Sequence, residues 1–171
     1  MTTAFSANRV ANQLALALDA AVISLEPEQR EQLVSFIREL DKWNHAYNLT
    51  AVRDPEQMVT RHILDSLSAL PFVTDDTVLD VGSGAGLPGI PLAVARPRQR
   101  FTLLDANGKK QRFIVHAIGV LGLTNATAVK ARAEHFEPNT PTVEERLSAM
   151  RKCSLAGSPV RAVVMPIIPV P

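Results

Sequence analysis

The chain has few of the residues that build disulfide frameworks, metal centres or membrane spans. It contains one cysteine, Cys153, and four histidines, so an internal disulfide is excluded and no metal site is expected. No apolar run approaches the ~20 residues of a membrane span, and the first 22 residues lack the layout of a secretion signal. The formal net charge is +1, so any nucleic-acid site must be a local patch. These absences indicate a soluble, cytoplasmic protein without a membrane partner.

Apolar residues recur at helical spacing in the first seventy positions. Two stripes predict two helices: Val10, Leu14, Leu18 and Val22 for the first, and Leu33, Phe36, Ile37, Leu40, Trp43 and Tyr47 for the second. Pro27 suits the first turn of the second helix. A third helix is predicted between Pro55 and Pro71. We therefore predict an N-terminal helical layer over residues 1–72.

From residue 78 onward, short apolar strands alternate with helices. Strands are predicted at 78–81, 101–104 and 126–129, and helices at 87–95 and 109–121. This alternation is typical of an α/β protein with a mostly parallel sheet and right-handed crossovers. The pattern assigns residues 73–137 to the core of a Rossmann-like fold.

Residues 138–171 have a different composition, since they hold six of the twelve prolines. Pro166, Pro169 and Pro171 oppose a central strand there, although a helix at 143–151 and a strand at 160–164 are compatible with the sequence. We predict an atypical tail, with the C-terminal part of the sheet truncated or replaced.

A glycine-rich loop follows the first predicted strand, in the segment Asp80-Val81-Gly82-Ser83-Gly84-Ala85-Gly86. Glycine tolerates positive φ and lets the backbone approach a ligand closely, so Gly82, Gly84 and Gly86 are predicted to bind a cofactor. The N-terminal amides of the following helix are expected to point at that ligand. Asp105 ends the next strand, where a carboxylate can accept hydrogen bonds from both hydroxyls of a ribose.

Two adenosine-containing cofactors fit this pattern. The glycines match the dinucleotide fingerprint of NAD-binding proteins, which is a weak signal alone. The register of Asp80 and Gly82 places the turn one step earlier than that fingerprint does. Pro88 also lacks the N–H that a pyrophosphate would need. Both features favour S-adenosylmethionine, and an NAD(P)-dependent oxidoreductase is the alternative.

Basic and polar residues surround this predicted cleft. Lys109, Lys110 and Arg112 open the helix after Asp105, and together with Arg61 they are candidates for RNA binding. An ordinary solvated face is the alternative. The segment Arg132-Ala133-Glu134 follows the third strand, at the edge where ligands of open α/β sheets bind. It is a candidate for contact with adenine, and a solvated loop is the alternative.

Four segments together are highly specific, and they run from residue 43 to residue 110. They are Trp43-Asn44 with Tyr47-Asn48-Leu49-Thr50-Ala51, Arg61-His62-Ile63-Leu64-Asp65-Ser66-Leu67, Asp80 to Leu92, and Leu103-Leu104-Asp105 with Lys109-Lys110. The chain resembles the bacterial glucose-inhibited division protein B family, the 16S ribosomal RNA guanine-N7 methyltransferases. The resemblance covers about residues 25 to 137.

The resemblance implies a class I methyltransferase fold, S-adenosylmethionine as donor, and methylation of a guanine N7 in 16S rRNA or in a small-subunit assembly intermediate. It also implies that Gly82 and Leu87 belong to the donor-binding loop and that Ala133 and Glu134 lie near the adenine. It assigns no catalytic residue. Residues 138–171 do not carry the family's later motifs, so a catalytically impaired donor- or RNA-binding remnant is the alternative.

Overall fold

A computed structural model describes residues 5–136 and the backbone of residues 168–170. Two long helices open the fold, α1 (Ala7–Ala20) and α2 (Pro27–Tyr47). A capping box fixes the start of α2, since the Glu26 amide donates to Gln29 Oε1 over 2.8 Å. Val22 does not continue the α1 stripe as expected. It lies beyond the end of the helix with φ +56° and is 92% exposed.

The third predicted helix is divided into short segments. The Asp54 side chain accepts a 3.0 Å hydrogen bond from the Glu56 amide and so caps its start. The segments are α3 (Pro55–Met58), a π-helical turn (Val59–Leu64), α4 (Asp65–Leu67) and a 3₁₀ turn (Leu70–Phe72). Val59 and Ile63 are buried within the π turn, and Met58 and Leu67 are buried in the segments on either side of it.

Three parallel strands and two crossover helices confirm the predicted α/β class. The strands are β1 (Thr77–Val81), β2 (Arg100–Leu104) and β3 (Ala126–Val129), and the helices are α5 (Gly89–Ala95) and α6 (Gly108–Leu121). The Asn107 side chain caps α6 by accepting hydrogen bonds from the Lys109 and Lys110 amides, and Gly122 ends it with φ +64°. A 3₁₀ turn (Ala133–His135) follows β3.

A fourth strand, β4 (Ile168–Val170), pairs antiparallel with β1, giving the strand order β3-β2-β1-β4. Pro169 faces Val78 in this pairing. In an antiparallel pair of strands, facing residues alternate between pairs that share two hydrogen bonds and pairs that share none. A proline, which has no N–H, is compatible with a pair that shares none. The terminal prolines were expected to oppose a central strand, and β4 agrees with this because it lies at the edge of the sheet, where proline is tolerated. The helix at 143–151 and the strand at 160–164 fall outside the described residues.

The hydrophobic core joins the helical layer to the sheet. One cluster of buried side chains extends from Val10 in α1 to Ala126 in β3, and Phe36 of α2 lies 6.1 Å from Phe113 of α6 between ring centroids. A smaller cluster on Leu79 and Leu104 includes Phe136. The proposed division at residue 72 therefore crosses a continuous core, and the domain limits stay a prediction. Among the described residues, no helix is long and apolar enough to cross a membrane.

Candidate functional site

The glycine loop after β1 has the backbone conformation that its composition predicts. Gly82, Gly84 and Gly86 have φ values of +78°, +59° and +79°, which side-chain-bearing residues rarely adopt. The amides of Gly82 and Ser83 both donate to the carbonyl of Leu104, over 2.7 and 3.1 Å. The loop is thereby fixed to the carboxyl end of β2, next to Asp105.

Asp105 is held in place by two backbone amides. Its Oδ2 accepts a hydrogen bond from the Gly84 amide over 2.9 Å, and its Oδ1 accepts one from the Asn107 amide over 2.7 Å. A carboxylate oxygen can accept more than one hydrogen bond. The half-buried carboxylate is therefore oriented in advance, with acceptor capacity left for hydroxyl groups of a ligand.

Asp80 is buried beneath the same loop, with 2% of its surface exposed. Burial raises the pKa of Asp80 to about 7, and the nearby negative charge of Asp105 adds to this rise. The Gly89 amide, which donates to Asp80 Oδ2 over 3.0 Å, opposes the rise. Asp80 thus stabilises the connection between β1 and α5, whereas Asp105 faces the cleft.

The start of α5 differs from the sequence-based expectation that its amides point at the ligand. Every position of its first turn is already used: Gly89 donates to Asp80, Ile90 to the carbonyl of Gly86, Leu92 to that of Pro88, and Pro91 has no N–H. The amides are used inside the fold because the buried Asp80 needs a donor and the tight turn satisfies its other polar groups internally. No amide of this turn remains for a pyrophosphate.

A cleft of about 320 Å³ opens between the ends of β1, β2 and β3. Its lining residues are Val81, Gly82, Leu104, Asp105, Ala106, Ala131, Arg132, Ala133 and Glu134. Clefts that hold small molecules begin at about 300 Å³. The lining brings together Gly82, Asp105, Ala133 and Glu134, which the sequence placed at the cofactor.

The other predicted cofactor residues lie outside this lining. Gly84 reaches the cleft only through its hydrogen bond to Asp105. Gly86 is required by packing, because a Cβ there would lie 2.8 Å from Ile90 Cγ1. Leu87 packs against the main hydrophobic core. Their roles at the cofactor stay predictions.

The predicted RNA-binding residues occupy two places. Lys109, Lys110 and Arg112 lie in the first turns of α6, which begins beside Asp105, whereas the exposed Arg61 lies in the π-helical turn. Lys130 lies beside the start of α6, because its Nζ is 3.4 Å from the position that a Cβ of Gly108 would take. Within residues 5–136, no group of three His, Cys, Asp or Glu side chains is placed to hold a metal ion.

A network of hydrogen bonds joins two of the characteristic segments. The Thr50 amide donates to Asn44 Oδ1 over 2.9 Å, and Thr50 Oγ1 lies 2.9 Å from His62 Nε2. Burial lowers the pKa of His62, which favours its neutral form. The carbonyl of Arg61 then accepts from Nδ1, and the Thr50 hydroxyl donates to Nε2. These segments therefore hold the end of α2 to the π-helical turn.

A glycine turn after β1, an acid after β2 and a cleft between them are typical of α/β proteins that bind nucleoside-containing cofactors. The sequence profile of the family "rRNA small subunit methyltransferase G" (GidB) matches residues 29–151. The chain belongs to this family. The match continues past residue 137, where the resemblance was expected to end.

Curated relatives give the same result. The chain is similar to proteins named ribosomal RNA small subunit methyltransferase G from Marinobacter nauticus and Alteromonas mediterranea. The first is 55% identical over 75% of this chain and 60% of the relative. The second is 51% identical over 72% of this chain and 59% of the relative. A third, from Ectopseudomonas mendocina, is 56% identical over 70% of this chain and 56% of the relative. The chain thus matches about 56–60% of the length of these relatives.

Proposed function

We propose that the cleft between β1, β2 and β3 binds S-adenosylmethionine, and that the chain takes part in methylating guanine N7 of 16S rRNA. The observation that carries the proposal is the meeting of Gly82, Asp105, Ala133 and Glu134 in one cleft. A cytoplasmic location and a small-subunit assembly intermediate as partner belong to the same proposal. The family match and the names of the relatives support it.

The groups in the cleft suit the proposed donor. Asp105 offers carboxylate oxygens to the ribose hydroxyls, and it is held by the Gly84 and Asn107 amides. The exposed backbone of Gly82 allows close approach of a ligand. Ala133 and Glu134 border the opposite side of the cleft, where we place the adenine. Gly84, Gly86 and Leu87 complete the proposed binding loop.

The same groups fit NAD less well, because α5 offers no amide to a pyrophosphate. S-adenosylmethionine carries no phosphate and loses nothing at this turn. The family match also favours the methyl donor over the dinucleotide.

The proposed chemistry requires positioning more than proton transfer. When bound, S-adenosylmethionine would supply a sulfonium methyl group for transfer to the unprotonated N7 of guanine, with S-adenosylhomocysteine as the leaving group. The chain must hold the two in line at about 3–3.5 Å. Lys109, Lys110, Arg112 and Arg61 are proposed to contact the RNA. The base must be unstacked, which suits RNA loops better than regular duplex.

Transfer of a labelled methyl group tests the proposal. Small ribosomal subunits from a strain that lacks the modification are incubated with the chain and S-adenosylmethionine that carries a tritiated methyl group. We expect label in 16S rRNA, and its loss in Asp105→Ala. Donor binding without label would favour the alternative, a remnant that binds donor or RNA but does not complete the reaction.

A further inference from the structure

A series of aromatic rings leads from the core to the surface where α2 meets α6. Trp43 lies 5.7 Å from Phe113 and 5.3 Å from Tyr47 between ring centroids. Phe113 is fully buried, Trp43 is partly buried, and Tyr47 is 38% exposed. The last ring of the series is therefore supported from behind and accessible to solvent.

Arg112 lies over this exposed ring. Its guanidinium carbon is 6.0 Å from the centroid of Tyr47, which is the outer limit of cation–π attraction. Arg112 is exposed and forms no ion pair with any other residue that the structure describes. The planar cation is thus near the ring and open to solvent.

Arg112 lies on the helix that begins beside the proposed donor cleft. Ala106 lines the cleft, and α6 begins two residues later at Gly108. Arg112 is four positions into the helix, about 6 Å along its axis. The exposed Lys109 lies three positions before Arg112, and residues at this spacing share a helix face.

We propose that Tyr47 and Arg112 form a stacking platform for an unpaired base of the RNA, with Lys109 on a flanking phosphate. Proteins recognise single-stranded RNA by stacking bases on aromatic rings and on arginine planes, beside basic groups that follow the backbone. Tyr47 supplies the ring, Arg112 the plane, and Lys109 the charge. This inference rests on the proposed function, because it assigns a contact to the RNA of the same reaction.

Binding of a labelled single-stranded RNA of mixed sequence, followed by fluorescence anisotropy at several salt concentrations, tests the platform. Tyr47→Leu removes the ring and keeps an apolar side chain. We expect affinity to fall by about 5- to 150-fold at every salt concentration, the range of one lost stack. Tyr47→Phe, the matched control, should stay within about twofold. Unchanged affinity in Tyr47→Leu would overturn the platform.

Arg112 variants provide a second measurement that is independent of Tyr47. Arg112→Lys keeps the charge but loses the plane, so affinity should fall without a change in the salt slope. Arg112→Gln should also reduce the slope by about one. Equal affinities for Arg112→Lys and the unmodified chain would contradict the stacking role.

Two further arms separate this inference from the proposed function. A blunt RNA duplex has no unpaired base, so Tyr47→Leu should not weaken its binding, and an equal loss on duplex would overturn the platform. Titration with S-adenosylhomocysteine tests the donor site alone. Failure of that titration contradicts the proposed function, whereas donor binding without any binding of single-stranded RNA contradicts the platform.

Discussion

Asp80 and Asp105 lie at or beyond the carboxyl ends of neighbouring strands, but their surroundings give them different roles. Asp80 is buried and accepts the Gly89 amide, and burial raises its pKa to about 7. Asp105 is half-buried and borders the cleft, where two backbone amides orient it. A carboxylate that stays accessible can bind a ligand, whereas one that is buried affects the stability of the fold.

The raised pKa of Asp80 predicts a pH dependence of stability. Between the unfolded value of 3.8 and the folded value of about 7, the folded chain binds more protons than the unfolded chain. The Asp80 contribution to the free energy of unfolding should therefore fall as pH rises through this window, by at most about 1.4 kcal/mol per pH unit. Asp80→Asn keeps an acceptor for Gly89 and should remove this decline.

Urea unfolding from pH 4 to 8 measures the effect. The exposed Asp76 supplies the matched control, Asp76→Asn, which should keep the decline. Parallel stability curves for the unmodified chain and Asp80→Asn would show that Asp80 does not titrate in this range.

At the scale of elements, the helices that follow β1 and β2 each contain a glycine, and the surroundings of the two glycines differ. The first turn of α5 is tightly packed, because a Cβ on Gly89 would lie 2.6 Å from Asp80 Oδ2 and 2.8 Å from Leu103 Cδ2. A Cβ on Gly119 in α6 would have no neighbour within 4 Å among the residues that the structure describes, so that position is open. Both glycines lie in helices, so substitution by alanine separates helix propensity from packing.

Gly89→Ala should lower the free energy of unfolding by about 1–3 kcal/mol through overpacking. Gly119→Ala should raise it by up to about 1 kcal/mol, because alanine is the better helix former. Thermal melts of both variants provide the measurement. Equal shifts in the two variants would mean that the α5 turn relaxes without cost.

The contact between α2 and α6 includes a polar pair that joins positions 77 residues apart. His116 Nε2 donates to Glu39 Oε2 over 2.9 Å, and this hydrogen bond lowers the pKa of Glu39. A lowered folded pKa means that the contribution is present above the unfolded value of 4.5 and is lost as pH falls through the folded value.

His116→Ala should reduce the free energy of unfolding at pH 7 by about 1–3 kcal/mol, because Glu39 loses its partner. Its ring also lies 4.9 Å from Trp43, and that packing is lost with it. His45→Ala, at a histidine exposed on α2, should change stability by no more than about 0.5 kcal/mol. Guanidinium unfolding measures the free energy of unfolding of both variants. Equal losses in His116→Ala and His45→Ala would contradict a stabilising contact between Glu39 and His116.

Element types followed from periodicity, while contacts between elements did not. The alternation after residue 78 identified the three parallel strands, and 126–129 matches β3 residue for residue. The π-helical turn was missed because it keeps the apolar spacing of an ordinary helix. The Glu39–His116 pair and the Asp80–Gly89 bond were missed because each depends on tertiary packing that no local pattern records.

At the scale of the whole molecule, the helical layer and the sheet share one hydrophobic core. That cluster includes Leu14, Phe36, Ile63 and Phe113, which come from four different segments. The glycine loop and Asp105 were predictable because a parallel sheet brings strand ends to one edge. Which loop residues line the cleft was not predictable, because the packing of Gly86 against Ile90 and of Leu87 against the main core depends on tertiary structure.

A shared core predicts cooperative unfolding of the two layers. Trp43 is the only tryptophan and lies where α2 meets α6, so its fluorescence reports this contact. Its denaturation curve should coincide with that of far-ultraviolet circular dichroism, which reports all helices. A Trp43 transition at clearly lower denaturant would show that the layers unfold separately.

Calorimetric titration of the intact chain with S-adenosylhomocysteine, beside NADH, tests the central claim most directly. The account predicts binding of S-adenosylhomocysteine, no binding of NADH, and a loss of about 1.5–3 kcal/mol in Asp105→Ala through the missing charge-assisted hydrogen bonds. Binding of NADH in place of S-adenosylhomocysteine, or an affinity unchanged by Asp105→Ala, would contradict it.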